Sequence, residues 1–253
     1  SIIMTNYNNE ALIQRAITSV INQTHKNWEL LIVDDASTDS SIDKILELAN
    51  TDDRIRVFQN IEQCGTYWSK NSVISKTTGM YITMIDSDDY DLPNRLEKQF
   101  SKFKNPNVVC VTCLNDRKVS EYSNITEKIT LGYPSMMFRY EVFSELGFYD
   151  TVKFGADSEF YDRVILFYGK RRISHIPEVL QISPRCSKGL TSIIPERSKS
   201  RLKYLTAYRA WHKSDCDHYV QFPTSSRKFQ IDPVSRVPYF DLSNSRSIQV
   251  ASN

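Results

Sequence analysis

Asp86-Ser87-Asp88-Asp89 packs three carboxylates into four residues, directly after the apolar run Tyr81-Ile82-Thr83-Met84-Ile85. Side chains alternate along an extended chain, so Asp86 and Asp88 are expected on one side of a strand end. Two carboxylates about 4 Å apart repel by about 4 kcal/mol at an effective dielectric near 20. A hard divalent cation removes that cost, and Mg²⁺ or Mn²⁺ is typically bound by one or two carboxylates together with substrate phosphates. Such a cation would grip a diphosphate and neutralise it as a leaving group. The bland alternative is a solvated acidic turn capping the next helix. It suits Asp89 and Asp91, just upstream of Pro93, better than it suits Asp86 and Asp88.

A second acidic pair, Asp34–Asp35, ends the run Trp28-Glu29-Leu30-Leu31-Ile32-Val33. Three roles are open to it: capping a helix, holding a metal as in phosphorylated receiver domains, or accepting from a nucleobase N–H. The receiver role needs an aspartate at the end of the third strand, where Gln59-Asn60 stand. Asp157, in Gly155-Ala156-Asp157-Ser158-Glu159-Phe160, precedes a helical stretch. It suits a helix cap and a general base for an acceptor hydroxyl equally well.

These residues need a scaffold, and the first half of the chain supplies an alternating one. Residues 1–4, 28–33, 55–58, 81–85 and 108–114 read as strands. Between them, apolar positions at helical spacing (Leu12, Ile13, Ala16, Ile17, Val20, Ile21; Ile42, Ile45, Leu46, Ala49; Leu96, Phe100, Phe103) mark helices, with another over 66–76. Strand–helix alternation predicts a doubly wound, mostly parallel α/β sheet. In such sheets ligands bind beyond the carboxyl ends of the strands, where both acidic clusters lie. The pattern then loosens: 120–132 reads as a polar loop, 135–138 as strand, 140–147 and 158–168 as helices, 173–183 as extended, and 195–211 as a helix rich in Arg, Lys and Tyr. Its Arg197, Arg201 and Tyr204 share one face by spacing, facing a charged acceptor, the diphosphate or only water. From 214 onward an irregular tail follows.

Several of these segments together resemble the glycosyltransferases of family 2. The stretches are Ile2-Ile3-Met4-Thr5-Asn6-Tyr7-Asn8, Gln23-Thr24, Trp28 through Ser37, Lys70-Asn71, Gly79 through Thr83, and Asp86 through Tyr90. They fall in the family's order and spacing, and such a set is far more specific than any single motif. The resemblance is strong over residues 1–91 and looser over 134–191. It implies a GT-A fold, an inverting mechanism, a nucleotide-sugar donor (a UDP-sugar), a glycan or polysaccharide acceptor and Mn²⁺ or Mg²⁺. Thr5, Tyr7 and Glu10 would line the nucleotide pocket, and Asp35 would accept from the base. Lys70 would lie near the diphosphate. Asp86 would reach ribose or metal, with Ser87 beside it, and Asp88 would ligate the metal. Asp157 would be the catalytic base. Two departures stand out: Ala156 replaces an acidic residue often found before that base, and Arg185-Cys186-Ser187 lacks the histidine often found there. His212 is the candidate to complete the metal shell.

On this basis residues 1–115 form the nucleotide-sugar-binding half, 116–193 the acceptor half, and 194–253 a C-terminal helix and extended tail. A strand at the very first residues suggests a domain cut from a longer chain. Rival functions fare less well. No G-x-G-x-x-G occurs among the seven glycines, which disfavours a dehydrogenase. The glycine-rich loop of a sugar nucleotidyltransferase is absent from Thr5-Asn6-Tyr7-Asn8-Asn9, and Tyr90 stands where an aspartyl phosphatase wants Thr or Val. A non-catalytic nucleotide-sugar-binding domain remains the alternative of a different class.

Net charge is +2, but residues 184–253 carry +7 against −5 for the rest. A basic C-terminal region could meet a membrane surface or the remainder of a larger chain; no nucleic-acid partner is implied. The five cysteines are odd in number and irregularly spaced, which favours a reducing, cytoplasmic setting, at the inner face of the membrane if the basic region docks there. Cys110 and Cys113 form a C-x-x-C inside an apolar run. Residues three apart on a strand point to opposite faces, so these are expected to be buried thiols rather than a zinc or redox pair.

Overall fold

The computed structural model describes residues 1–120, 122–185, 195–223, 228–231 and 248–251. Alternate strands and helices run β1 (Ile2–Asn6), α1 (Ile13–Ile21), β2 (Leu30–Asp34), α2 (Ser41–Ala49), β3 (Ile55–Gln59), α3 (Thr66–Ile74) and β4 (Tyr81–Asp86). The chain continues through β5 (Tyr90–Asp91), α4 (Arg95–Lys102), β6 (Cys110–Lys118), β7 (Thr126–Leu131), β8 (Met137–Arg139), α5 (Glu141–Leu146), α6 (Ala156–Tyr168), β9 (Ile173–Pro184), α7 (Pro195–His212) and β10 (Ile248–Ala251).

The strands form one mixed sheet in the order β10-β3-β2-β1-β4-β8-β6-β9-β5, with β7 on β6. β3, β2, β1 and β4 are mutually parallel, as the alternation predicts. Beyond β4 the ladder changes character. β8 inserts antiparallel between β4 and β6, so the fifth expected strand does not extend the parallel set directly. β6 and β9 are again parallel. The fold is thus the expected α/β class, with a parallel first half and a mixed second half.

Apolar residues sort onto two faces. Ile3, Leu31, Val33, Ile82 and Met84 pack with α3, α5 and α6, while Ile2, Met4, Leu30, Ile32 and Ile85 pack with α1, α2 and α4. The C-x-x-C behaves as its spacing requires: Cys110 lies in the first core and Cys113 in the second. Burial pushes both thiols above the ordinary range.

Two expectations are corrected. Residues 126–131, expected in a loop, form a strand paired antiparallel to β6. Thr126 to Ile129 are exposed, so this edge strand buries no apolar face and leaves no apolar alternation to read. Asp89 and Asp91 do not cap α4, whose N-cap is Asn94. Asp91 instead forms a fully buried ion pair with Arg95 at 2.6 Å, and accepts from Gln181 Nε2 at 3.2 Å. Asp89 is buried, and burial together with the charges of Asp88 and Asp86 pushes its carboxyl well above the usual range. Among the described residues no helix is long and apolar enough to cross a membrane. Part of the basic region expected to meet a membrane or a larger chain (186–194, 224–227 and 232–247) lies outside the described residues, as do Cys186, Ser187 and the side chain of Arg197. Arg201 is exposed while Tyr204 is buried, its hydroxyl 3.2 Å from Asp150 Oδ2, so these two do not present one polar face.

Candidate active site

Alternation along the parallel strands decides which acids meet. Thr5 lies level with Val33 on one side and Asp86 on the other, and Asn6 lies level with Asp34. Continuing the core pattern, Thr5, Asp35 and Asp86 fall on the α3 face, and Asn6 and Asp34 on the α1–α2 face. Asp34 is accordingly occupied by structure: it accepts from Asn6 Nδ2 at 2.9 Å and from Ser37 Oγ and N at 2.5 and 3.0 Å. Those bonds stabilise the turn in which Ala36 adopts a positive φ of 61°.

Asp35 is buried in a cradle of donors. Its Oδ1 accepts from Asn60 Nδ2 at 2.7 Å, Cys64 N at 2.8 Å and Ser69 Oγ at 3.2 Å. Its Oδ2 accepts from Gly65 N at 2.8 Å. A carboxylate offers about four acceptor positions, two on each oxygen, so Oδ2 retains room for one more donor. Gly65 has φ 89° and ψ 156°, a region essentially restricted to glycine, and that conformation aims its N–H at Asp35.

Asp86, at the end of β4, pairs with the buried Lys70 at 2.7 Å. After Asp86 the chain turns, with Asp89 N donating to Asp86 O at 3.0 Å. Asp88 therefore sits on a turn rather than two residues along a strand. It still lies close enough to Asp86 to feel its charge: burial first, and then Asp86, push its carboxyl up to about 6. Ser87, also buried, is fixed by Asn9 Nδ2 at 3.1 Å, and Arg15 Nη2 donates to the Asp88 carbonyl at 3.3 Å.

Asp157, in the first turn of α6, accepts from the Tyr67 hydroxyl at 3.1 Å. That hydroxyl also accepts from Gly155 N at 3.1 Å. One helix therefore reaches every part of the site. From α3, Thr66 meets Thr5 at 2.8 Å, Tyr67 meets Asp157, Ser69 meets Asp35 and Lys70 meets Asp86. Asn71 then clamps the backbone of Tyr149 through both its N–H and its carbonyl, at 3.1 and 2.8 Å.

Two expected residues lie elsewhere. Glu10 is exposed and bound to the start of α2: its N donates to Asp39 Oδ2 at 3.1 Å, and its Oε2 accepts from Ser40 N at 3.0 Å. Tyr7 is exposed. His212 is placed 3.0 Å from Glu159 Oε1, and Glu159 in turn holds Arg163 at 2.9 Å, both fully buried. Among the described residues no three of His, Cys, Asp and Glu converge as a metal-holding group. Asp86 and Asp88 come together; His212 does not join them. Sequence reasoning missed Tyr67, Ser69, Asn60 and Gly65. One signal was available: Tyr67 and Lys70 are three apart on a helix and so share a face.

Comparison with known proteins gives a consistent result. Residues 1–160 match the family model described as "Glycosyl transferase family 2". The chain is 40% identical over 108 residues to UDP-Glc:alpha-D-GlcNAc-diphosphoundecaprenol beta-1,3-glucosyltransferase WfgD of Escherichia coli, covering 43% of this chain and 42% of that protein. It is 36% identical over 99 residues to the putative teichuronic acid biosynthesis glycosyltransferase TuaG of Bacillus subtilis, covering 39% of each. The matched segment thus spans about two fifths of these relatives. Among solved structures, Staphylococcus aureus TarS 1-349 in complex with UDP-GlcNAc superposes with a TM-score of 0.67 at 17% identity, covering 86% of this chain and 67% of that one. The mannosyltransferase PcManGT of Pyrobaculum calidifontis, in complex with GDP-Man and Mn²⁺, gives 0.66 at 18%, covering 85% and 64%. These likenesses establish the GT-A glycosyltransferase fold.

Proposed function

Because the chain belongs to glycosyl transferase family 2, we propose that it transfers a sugar with inversion from a UDP-sugar to a glycan hydroxyl, aided by Mn²⁺ or Mg²⁺. One observation carries this reading: α3 alone touches Asp35, Asp86 and Asp157, so base, diphosphate and acceptor functions would share one rigid support.

In this reading Asp35 Oδ2 accepts from the ring N–H of the uracil, with Thr5 and Tyr7 lining the pocket. Asp86 and Asp88 hold the cation; their hard oxygens suit Mn²⁺ or Mg²⁺, and the strained ionisation of Asp88 fits a site completed by positive charge. The cation, when bound, neutralises charge on the departing diphosphate. Lys70 adds a second positive charge from the side of Asp86. Asp157 takes the proton from the acceptor hydroxyl. The freed oxygen pair forms the new bond to the anomeric carbon from the face opposite the phosphate. The old carbon–oxygen bond breaks, its electron pair leaves on the UDP oxygen, and the configuration inverts.

The UDP donor is supported by the names of WfgD and of the TarS complex, and a glycan acceptor in surface polysaccharide synthesis by those of WfgD and TuaG. Calorimetry with UDP and Mn²⁺, followed by turnover of UDP-sugars with a lipid-linked or free glycan acceptor, tests the reading. Metal-dependent UDP binding with transfer is expected. Binding without turnover would instead make the chain a nucleotide-sugar-binding module. In Asp157→Asn, donor binding is expected to persist while transfer falls by about two orders of magnitude or more. Retained transfer in that variant places the base elsewhere.

A further inference from the structure

The Tyr67 hydroxyl makes two bonds, and their combination is informative. It donates to Asp157 Oδ1 at 3.1 Å and accepts the Gly155 N–H at 3.1 Å. Its proton is thereby committed to Asp157. Ser158 N also donates to the same Oδ1, at 2.9 Å. Among the described residues both fixed donors sit on one oxygen, and Oδ2 is left for an acceptor hydroxyl. The ring is buried against Tyr149, 5.8 Å between centroids. Asn71, one turn further along α3, clamps the Tyr149 backbone in both directions, so the segment leading into Asp157 hangs from α3 at two points. Gly155 has φ 90°, and its N–H is turned onto Tyr67 rather than into the following helix.

Resting on the reading of Asp157 as the base, we propose that Tyr67 is the positioning residue of that base: its hydroxyl orients the carboxylate so that Oδ2 alone meets the acceptor. Hydrogen bonding to an ionised carboxylate also favours the ionised form. Removing the donor is therefore expected to move the acid limb of kcat to higher pH. The other charged and titratable groups near this pair are Asp86 from β4, Lys70 from α3, Tyr149 and Tyr133 from the loops, and Tyr204 from α7. Exchanging the Tyr67 hydroxyl for hydrogen leaves all of them in place.

The experiment measures kcat, KM for the UDP-sugar and the pH profile in Tyr67→Phe, in a protein carrying 3-fluorotyrosine at position 67, and in Asn71→Ala. Tyr67→Phe is expected to lower kcat about tenfold or more, to leave the donor KM within about twofold, and to shift the acid limb upward. Fluorotyrosine, a stronger donor of the same shape, is expected to shift the limb downward. Asn71→Ala loosens the same segment without touching Asp157, and is expected to leave the limb in place. Unchanged limbs in both position-67 proteins, or the same shift in Asn71→Ala, overturn the proposal. Should Tyr67→Phe fail to bind UDP, the fluorotyrosine protein alone decides. If Asp157→Asn retains transfer, the base assignment itself fails, a separate result from failure of Tyr67 to position it.

Discussion

Asp88, half-buried, ionises reluctantly because desolvation and the neighbouring charge of Asp86 both disfavour its carboxylate. The sign follows directly. A carboxyl raised to about 6 holds its proton in the folded protein below that pH, whereas the unfolded chain has already released it. The folded state therefore loses stability as pH rises from the ordinary 3.8 to about 6, the penalty staying constant above that, and a cation bound there relieves it. Binding must displace the proton below pH 6, so Mn²⁺-dependent UDP affinity is expected to fall about tenfold per pH unit there. Titrations between pH 5 and 7.5 check this, and a flat profile would remove Asp88 from the cation site. Asp88→Ala is expected to abolish the metal-dependent part of UDP binding altogether. The acids were legible in the sequence because strand ends and acidic types are local signals. The family resemblance singled out Asp35 over its neighbour Asp34, and alternation supplies the physical reason by placing them on opposite faces. Asp34 then proved to fasten the Ser37 turn and Asp35 to face α3.

At the level of elements, the strands and helices of residues 1–103 were readable because each buries an apolar stripe against one of two cores. The helix α3 shows why the site was not. Tyr67, Trp68, Ser69, Lys70 and Asn71 are all buried, so no polar face marks which side meets solvent. Its polar residues are spent on partners 9 to 90 positions away, and such pairings have no local signature. The edge strand β7 was missed for the opposite reason, as its exposed residues follow no core. The junction ahead of α3 allows a further test. Alanine at Gly65 must adopt a glycine-only conformation, at a cost of about 1–3 kcal/mol, or rotate the N–H away from Asp35. Gly65→Ala is expected to lower Tm by several degrees, at about 2–4 °C per kcal/mol for a chain of this size. UDP affinity should weaken with it. Wild-type affinity for UDP in that variant would show that the Asp35 cradle does not read the nucleotide.

Across the whole molecule, the two halves of the site are joined through buried charge as well as through α3. Arg163 of α6 is fully buried and bridges Glu159, the carbonyl of Phe148 at 2.7 Å and the carbonyl of Leu146 at 2.5 Å. His212, at the end of α7, closes the group from the far side through Glu159. Burial alone would raise the Glu159 carboxyl, but Arg163 and His212 more than offset it and hold it below the ordinary 4.5. A depressed carboxyl contributes stability that is complete above 4.5 and is lost as pH falls below it, so this group belongs to the acid limit of the fold. Removing one partner of a buried pair typically costs about 3–5 kcal/mol. Arg163→Met is therefore expected to lower Tm by roughly 6–20 °C, at about 2–4 °C per kcal/mol. The same geometry separates two roles for His212. As a clamp between α7 and α6, its replacement by Gln lowers Tm while Mn²⁺-dependent UDP affinity stays within about twofold. As a cation ligand, its replacement weakens that affinity at constant Tm. Since the His212 ring nitrogen already meets Glu159 at 3.0 Å, and Glu159 also holds Arg163, the clamp outcome is the one expected. Differential scanning calorimetry paired with a Mn²⁺ titration of His212→Gln distinguishes the two in one preparation.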